Sequence, residues 1–520
     1  MPRLESSGAS SNWSILSCLT SSTKGYQDRT LALALGAFGY AVGLWAAWVY
    51  ACAGLTLSHY DAKAHLVVAR RVFDSLTPGW AQVGAVWLPL PHLLNLLPVQ
   101  IDSFYRTGAS AIVMSGLAYA LACYASARLV LRVTGSRSGA VVAVAALVLN
   151  PNLLYLQATP MTEPLLLGLT FLAVDLAYDW VQRNGQGTSS LAGWTLAAAC
   201  LTRYESWFVT AALVAGAWFV LWRRGTAAMQ GLKLVWRLAR YPAGAMAAFM
   251  LHSRITIGEW FVTGGFFVPD NPALGRPFSA LAEVAGGTWL LAGSGLVVLA
   301  ALGALVTLLV GSLSRQRADV LLALSLAGLA GLPAYAFAEG HPFRIRYMVP
   351  LVAGAAIFAG IGIGWARGRW RKIAAGAAVA LLVLTAHPFD PSAPMVVEAQ
   401  WDSAHSQARH AVTECLERGY HGERILASMG SLAHYMQELS QEGFAIRDFV
   451  HEGNDDFWRA ALDRPEGLVG WILVEEQAEG GDLLAARVKQ RPDFLLGFHR
   501  QCEGGGVALY EADHKPLPVN

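Results

Sequence analysis

Side chains able to carry acid–base or ionic chemistry are sparse in this chain. Its 520 residues include 36 Asp and Glu, 38 Lys and Arg and 13 His. Where they fall is therefore informative. The run His59-Tyr60-Asp61-Ala62-Lys63-Ala64-His65 sets a carboxylate and an imidazole at i and i+4, neighbours on a helix that can share a proton or a metal ion. From spacing alone the structural roles are favoured: an N-cap for Asp61 and a solvated imidazole for His65. Three short turns place charge beside apolar runs: Thr162-Glu163-Pro164, Arg203-Tyr204-Glu205, and 339–346, which holds Arg344 and Arg346. Glu163 equally fits a favourable charge at a helix N-terminus. Arg203 and Glu205 can simply pair with each other across their turn, and for Arg346 a span-end anchor is the less favoured alternative to a functional role, since an outer Arg pair goes against the charge bias. His341 reads as a loop histidine, and Asp175 and Asp179, one turn apart, as structural.

Most of the chain that must hold these residues is built for lipid. Apolar residues make up 55% and charged residues 14%, against about a quarter charged in soluble proteins. A soluble single-core enzyme is excluded. A bilayer core about 30 Å thick takes roughly 20 apolar residues per helical crossing. Runs near that length predict about eleven spans, at 31–57, 108–131, 138–157, 160–182, 189–202, 205–222, 241–257, 286–311, 319–338, 347–366 and 373–387. The first is long and lacks a small-x-small cleavage site, so it reads as a retained signal anchor. Tyr50 spoils the lipoprotein pattern that would end at Cys52. The six cysteines show no metal-binding spacing.

A net charge of +2 hides a division: residues 1–389 carry 27 Lys/Arg and 14 Asp/Glu, residues 390–520 carry 11 and 22. Basic loops resist export. With a cytoplasmic N-terminus the inner connections hold 15 Lys/Arg, and the outer ones after the first loop hold five: Arg203, Arg254, Arg276, Arg344 and Arg346. An odd span count then exports the C-terminal part. In that orientation Asp61, Asp74, Asp102, Glu163, Glu205, Glu259, Asp270, Glu283 and Glu339 lie outside, as do His59, His65, His92, His252, His341 and His387. Ionisable groups near hydrocarbon cost a few kcal/mol each, roughly, so their gathering at one face predicts a site there.

The first outer loop, 58–107, reads as structured. Ala62, Leu66, Ala69, Val72 and Phe73 form a helical stripe, and Trp87–Leu94, too short and Pro-rich to span, suits the interface. From 390 onward, strand-length apolar runs alternate with helical patterns. They predict an α/β domain of about five strands, closed by a hairpin over 494–510 around Gly504-Gly505-Gly506. Cys415 and Cys502 are the two cysteines of this part, and free thiols are favoured over a bridge between them in an oxidising compartment.

This layout resembles the polyprenyl-phosphate-dependent GT-C glycosyltransferases, in particular the protein-mannosyltransferase and aminoarabinose-transferase branch. Asp61–Arg71 sits where that family has an Asp-Glu pair and a helix ending in Ala-Arg, and Leu88-Pro89-Leu90-Pro91 where it has a Pro-rich turn. Arg346-Tyr347-Met348-Val349-Pro350 is similar to its Arg-Tyr-x-x-Pro stretch. Ala62 stands in place of the second acid. The resemblance implies a polytopic all-α, GT-C-like membrane domain over 1–389 and an exported α/β domain over 390–520. It implies transfer of a sugar from a polyprenyl-phosphate-linked donor to a lipid, glycan or protein acceptor at the outer face. Asp61 would be the general base. Arg344, Arg346 and Arg203 would take the donor phosphate, and His65, Glu163 and Glu205 would take metal or acceptor. A divalent cation (Mg, Mn or Zn) would be held by Asp61, His65 and Glu163, a small set for an oxygen-rich site. A transporter or flippase is the rival reading, but no internal repeat is visible and the mid-span stretches are mostly Ala, Leu, Val and Gly. A non-catalytic binder of lipid-linked sugars is the other.

Overall fold

The computed structural model describes residues 11–262 and 271–516, with side chains from residue 26 onward; Asp270 lies outside the described residues. Each of the eleven apolar stretches is helical. Among the described residues, seven helices are long and apolar enough to cross a membrane: Tyr26–Cys52, Ala109–Thr134, Glu163–Gln182, Glu205–Arg223, Pro277–Leu313, Arg315–Ala338 and Ile345–Trp365. The apolar pair Arg137–Leu149 and Pro151–Gln157 is bent by 70° where Asn150 caps the second helix and Pro151 cannot continue the first. Ser190–Cys200 has only 11 residues, yet this segment returns the chain from Arg183, past the end of helix Glu163–Gln182, to Arg203, which pairs with Glu163 at that helix's start. The Ala228–Ile257 helix begins with Lys233, Arg237 and Arg240 on its turns, and Arg369–Ala386 with Arg369, Arg371 and Lys372.

Small residues let the bundle close. A Cβ on Gly139 would lie 2.5 Å from the Gly360 carbonyl oxygen, so these two helices touch backbone to backbone, as membrane helices with small residues do. Away from the first outer loop, Asp175 is fully buried and paired with Arg128 (3.0 Å) and Arg132 (2.7 Å). This is the structural role read from the sequence.

The first outer loop is ordered by helices at Tyr60–Arg70, Leu90–Asn95 and Asp102–Thr107. The C-terminal part contains a five-stranded sheet: β1 (Ile425–Ala427), β2 (Phe449–Val450), β3 (Trp471–Glu475), β4 (Phe498–Gly504) and β5 (Val507–Ala512). Their order is β2-β1-β3-β5-β4. β1 runs parallel to β2 and β3, while the β4–β5 hairpin is antiparallel. Gly505 and Gly506 have φ of 58° and 80°, as a tight hairpin turn demands. Gly505 is also pressed against the helix Ser403–Gly419, where a Cβ would meet the His405 carbonyl oxygen at 2.2 Å. Just before β2 the chain makes a 3-10 turn over Ile446–Asp448, where the Asp448 carboxylate accepts from the Ala445 N–H (2.7 Å).

The two halves share a core. Ala64, Leu66, Val67 and Ala69 of the loop helix are buried with Leu432, Met436 and Leu439 of helix Met429–Leu439. At the other end of the linker, Met395, Val396 and Ala399 are buried within the membrane bundle's cluster. The C-terminal part is thus seated on the first loop and on the bundle.

Candidate functional site

His59, not Asp61, caps the loop helix: its Nδ1 accepts from the Asp61 N–H at 3.1 Å. Asp61 therefore occupies the first turn with its carboxylate free of capping duty, and it forms an ion pair with Arg346. The two side chains are 8% and 6% exposed. Burial alone would raise the Asp61 carboxyl; the Arg346 guanidinium, with Arg344 behind it, more than offsets this and holds it below its ordinary value. Asp61 is a carboxylate at neutral pH. His59 is pushed down to about 3, first by burial and then by Arg346, so it is neutral. With Nδ1 accepting, its proton sits on Nε2.

Arg346 is only partly satisfied. It is 5% exposed, and its Nε has no hydrogen-bond partner among the described residues. A buried, unpaired donor of a permanent cation is costly and is a place for an anion's oxygen. The turn carrying it is fixed from outside: the Glu398 carboxylate accepts from the N–H of Ile345 (2.5 Å) and of Arg346 (3.2 Å).

The neighbouring charges continue the pattern. Glu163, fully buried, pairs with Arg203 at 3.0 Å, and Arg203 pairs with Glu205 at 2.7 Å and donates to Thr162 Oγ1 at 3.1 Å. Glu163 is near enough to act electrostatically on Arg346. The mutual pairing of Arg203 and Glu205 considered from sequence is present. The two carboxylates hold Arg203 above its ordinary value against the opposing effect of burial, which is the largest single influence. This turn also anchors the interfacial helix, whose Leu90 N–H donates to the Leu201 carbonyl (2.9 Å).

His65 lies elsewhere than its spacing from Asp61 suggests. Its Nδ1 is 3.0 Å from His92 Nε2, and Trp87 packs over it with ring centroids 4.1 Å apart. Burial and the neighbouring His92 push His65 well below its ordinary value, and burial followed by Arg71 takes His92 to about 3. This neutral pair borders a narrow cleft completed by Asn95, Met114, Thr162 and Leu165.

Arg344 and Arg346, nominated together, face different ways. Arg344 pairs with Glu479 of the C-terminal part and lies over Trp401 at 6.0 Å, whereas Arg346 turns inward to Asp61. The proposed metal set does not assemble: Asp61 is engaged by Arg346, Glu163 by Arg203 and His65 by His92. Among the described residues no three His, Cys, Asp or Glu side chains stand together as a ligand set. These residues do not fit a divalent cation in this arrangement. The capping role of His59 and the part played by Glu398 were not visible in the sequence. Glu398 did leave a signal, as the lone charge in the apolar segment Pro394–Ala399.

No protein-family model matches the chain, and no curated protein matches it by sequence. Solved structures do match. ArnT from Cupriavidus metallidurans bound to undecaprenyl phosphate aligns with a TM-score of 0.57 and 12% identity, covering 91% of this chain and 97% of that one. The same protein in the apo state aligns with a TM-score of 0.57, 13% identity and the same coverage. Coverage of 91% includes most of both halves, so the likeness extends from the helical bundle to the sheet. The chain shares the fold of ArnT, a multi-pass helical membrane domain with a small sheet domain at its C-terminal end.

Proposed function

We propose that this protein is a membrane glycosyltransferase. In this reading it moves a sugar from a polyprenyl-phosphate-linked donor, of the undecaprenyl class, to an acceptor hydroxyl or amine at the outer membrane face. The observation that carries the reading is the buried Asp61–Arg346 pair, on a fold shared with an ArnT that holds undecaprenyl phosphate.

In the reaction the acceptor's O–H or N–H proton passes to Asp61 as the acceptor attacks the anomeric carbon. The bond from that carbon to the phosphate oxygen breaks, and its electron pair stays on the phosphate. Arg346 is the group for that developing charge, and its partnerless Nε gives it a donor to spare without releasing Asp61. As the phosphate draws on the guanidinium, less of its field acts on Asp61, whose basicity rises when the acceptor needs it. Arg203, already shared by Glu163 and Glu205, orders the floor of the site. Arg344, over Trp401 and paired with Glu479, adds a second positive charge beside the site.

Membranes containing the protein, given a mixed pool of polyprenyl-phosphate-linked sugars, should consume one donor and release the lipid phosphate, read by mass spectrometry. Persistence of every donor, with bound lipid phosphate detectable on the protein, supports a binder or transporter instead.

A further inference from the structure

The group that fixes Arg346 comes from the linker between the two halves. Glu398 reaches back 53 positions to accept from the N–H of Ile345 at 2.5 Å and 52 positions to the N–H of Arg346 at 3.2 Å. These amides open the membrane helix Ile345–Trp365, so the carboxylate satisfies donors that a helix leaves unpaired and meets the positive end of its dipole. The pair of bonds sets the direction in which the Arg346 side chain leaves the backbone.

The linker is itself held. Its Met395 N–H donates to Asn152 Oδ1 at 2.9 Å, and Asn152 Nδ2 donates to the Leu291 carbonyl at 3.1 Å. Asn150 Nδ2 reaches the same carbonyl at 2.9 Å. One asparagine therefore ties the bend between Arg137–Leu149 and Pro151–Gln157 to the Leu291 turn of helix Pro277–Leu313 and to the linker. Beyond Glu398, Trp401 lies under Arg344 and edge-on to Tyr60, with ring centroids 5.5 Å apart. The chain of contacts runs from Asn152 through the linker and Glu398 to Arg346, and from Arg346 to Asp61.

We propose that Glu398 is a positioning residue: seated by Asn152, it holds the 344–346 turn so that the Arg346 guanidinium stands beside Asp61 and ready for the donor phosphate. The inference rests on the glycosyltransferase reading for Arg346's task.

The test uses the full-length protein in detergent and undecaprenyl phosphate as the probe, with Glu398→Leu and Glu398→Gln each made alone and together with Arg346→Lys. Glu398→Leu should weaken binding of the probe about tenfold. Glu398→Gln, which keeps a carbonyl acceptor for one amide, should weaken it about threefold. In the Arg346→Lys background, already weakened, Glu398→Leu should add less than a twofold change, because the fork it orients is gone. Equal tenfold losses in both backgrounds would reveal a general structural role and overturn the proposal. Unchanged binding in Glu398→Leu would overturn it too while leaving the glycosyltransferase reading standing. A wild-type protein that does not bind undecaprenyl phosphate would sink both.

Discussion

At the residue scale, a buried acid and a buried guanidinium share a site, and each sets the other's chemistry. Burial pushes the Asp61 carboxyl up and Arg346 pulls it down, with the second effect prevailing. A lowered pKa means that the paired form stabilises the fold above the ordinary carboxylate value of 3.8, and this stabilisation is lost as pH falls through the lower, folded-state value. For a base that must be deprotonated, kcat/KM of the wild type should therefore stay flat down to pH of about 5. Arg346→Gln leaves the burial and removes the offsetting charge. Its residual kcat/KM should show an acid limb at least about one pH unit higher, one unit being about 1.4 kcal/mol of changed interaction. An acid limb that stays put in Arg346→Gln would mean that Asp61 is not the titrating base. The separation of Arg344 from Arg346 has a local cause: Arg344 is extended, with φ −130° and ψ 117°, and the next residue begins a 3-10 turn. Residues two apart across such a junction do not share a face, which a reading by proximity in sequence cannot register.

At the element scale, the loop helix Tyr60–Arg70 carries the acid and the C-terminal part presses it into place. Lys63 pairs with Glu438 at 2.6 Å, and Glu438 also takes Arg409 (3.0 Å) and Ser406 (2.9 Å). Despite burial, which opposes it, Glu438 is held down to about 2 by Lys63 and Arg409. Replacing it by Gln strands Lys63 and leaves Arg409 with Asp402 alone. Loss of one partner of a buried pair costs about 3 kcal/mol, so Glu438→Gln should lower Tm by several degrees. It should also loosen the loop helix, read as faster amide exchange over 60–70; an unaltered Tm would show the latch to be energetically idle. The loop helix itself was legible from its apolar stripe, and the β4–β5 hairpin from its three glycines. The capping by His59 and the amides held by Glu398 were not. Both depend on rotamers and on contacts between segments far apart in sequence, and periodicity encodes neither.

On the scale of the whole molecule, composition and apolar run length were enough to announce a multi-pass bundle and a polar C-terminal domain. An apolar run does not say whether its helix is straight. The stretch 138–157 bends by 70°, and 189–202 yields only an 11-residue helix. The charge bias makes a further prediction about orientation. In a background lacking exposed native cysteines, a cysteine at Glu466, whose side chain is 49% exposed on the C-terminal part, should react with a membrane-impermeant maleimide added to intact cells. One at Arg183, 67% exposed beyond the end of helix Glu163–Gln182, should react only after permeabilisation. The opposite pattern would reverse the proposed topology and put the donor site on the inner face.

The central claim is that Asp61 takes the acceptor's proton. The most direct measurement compares wild type, Asp61→Asn and Asp61→Glu in membranes supplied with polyprenyl-phosphate-linked sugar donors, following donor, lipid phosphate and glycosylated product by mass spectrometry. Asn, of nearly the same shape but unable to accept the proton, should lower turnover by about 100-fold or more. The Asn variant should still bind undecaprenyl phosphate, because Arg346 is then freed, and Glu should restore part of the rate. Wild-type turnover by Asp61→Asn would contradict the central claim.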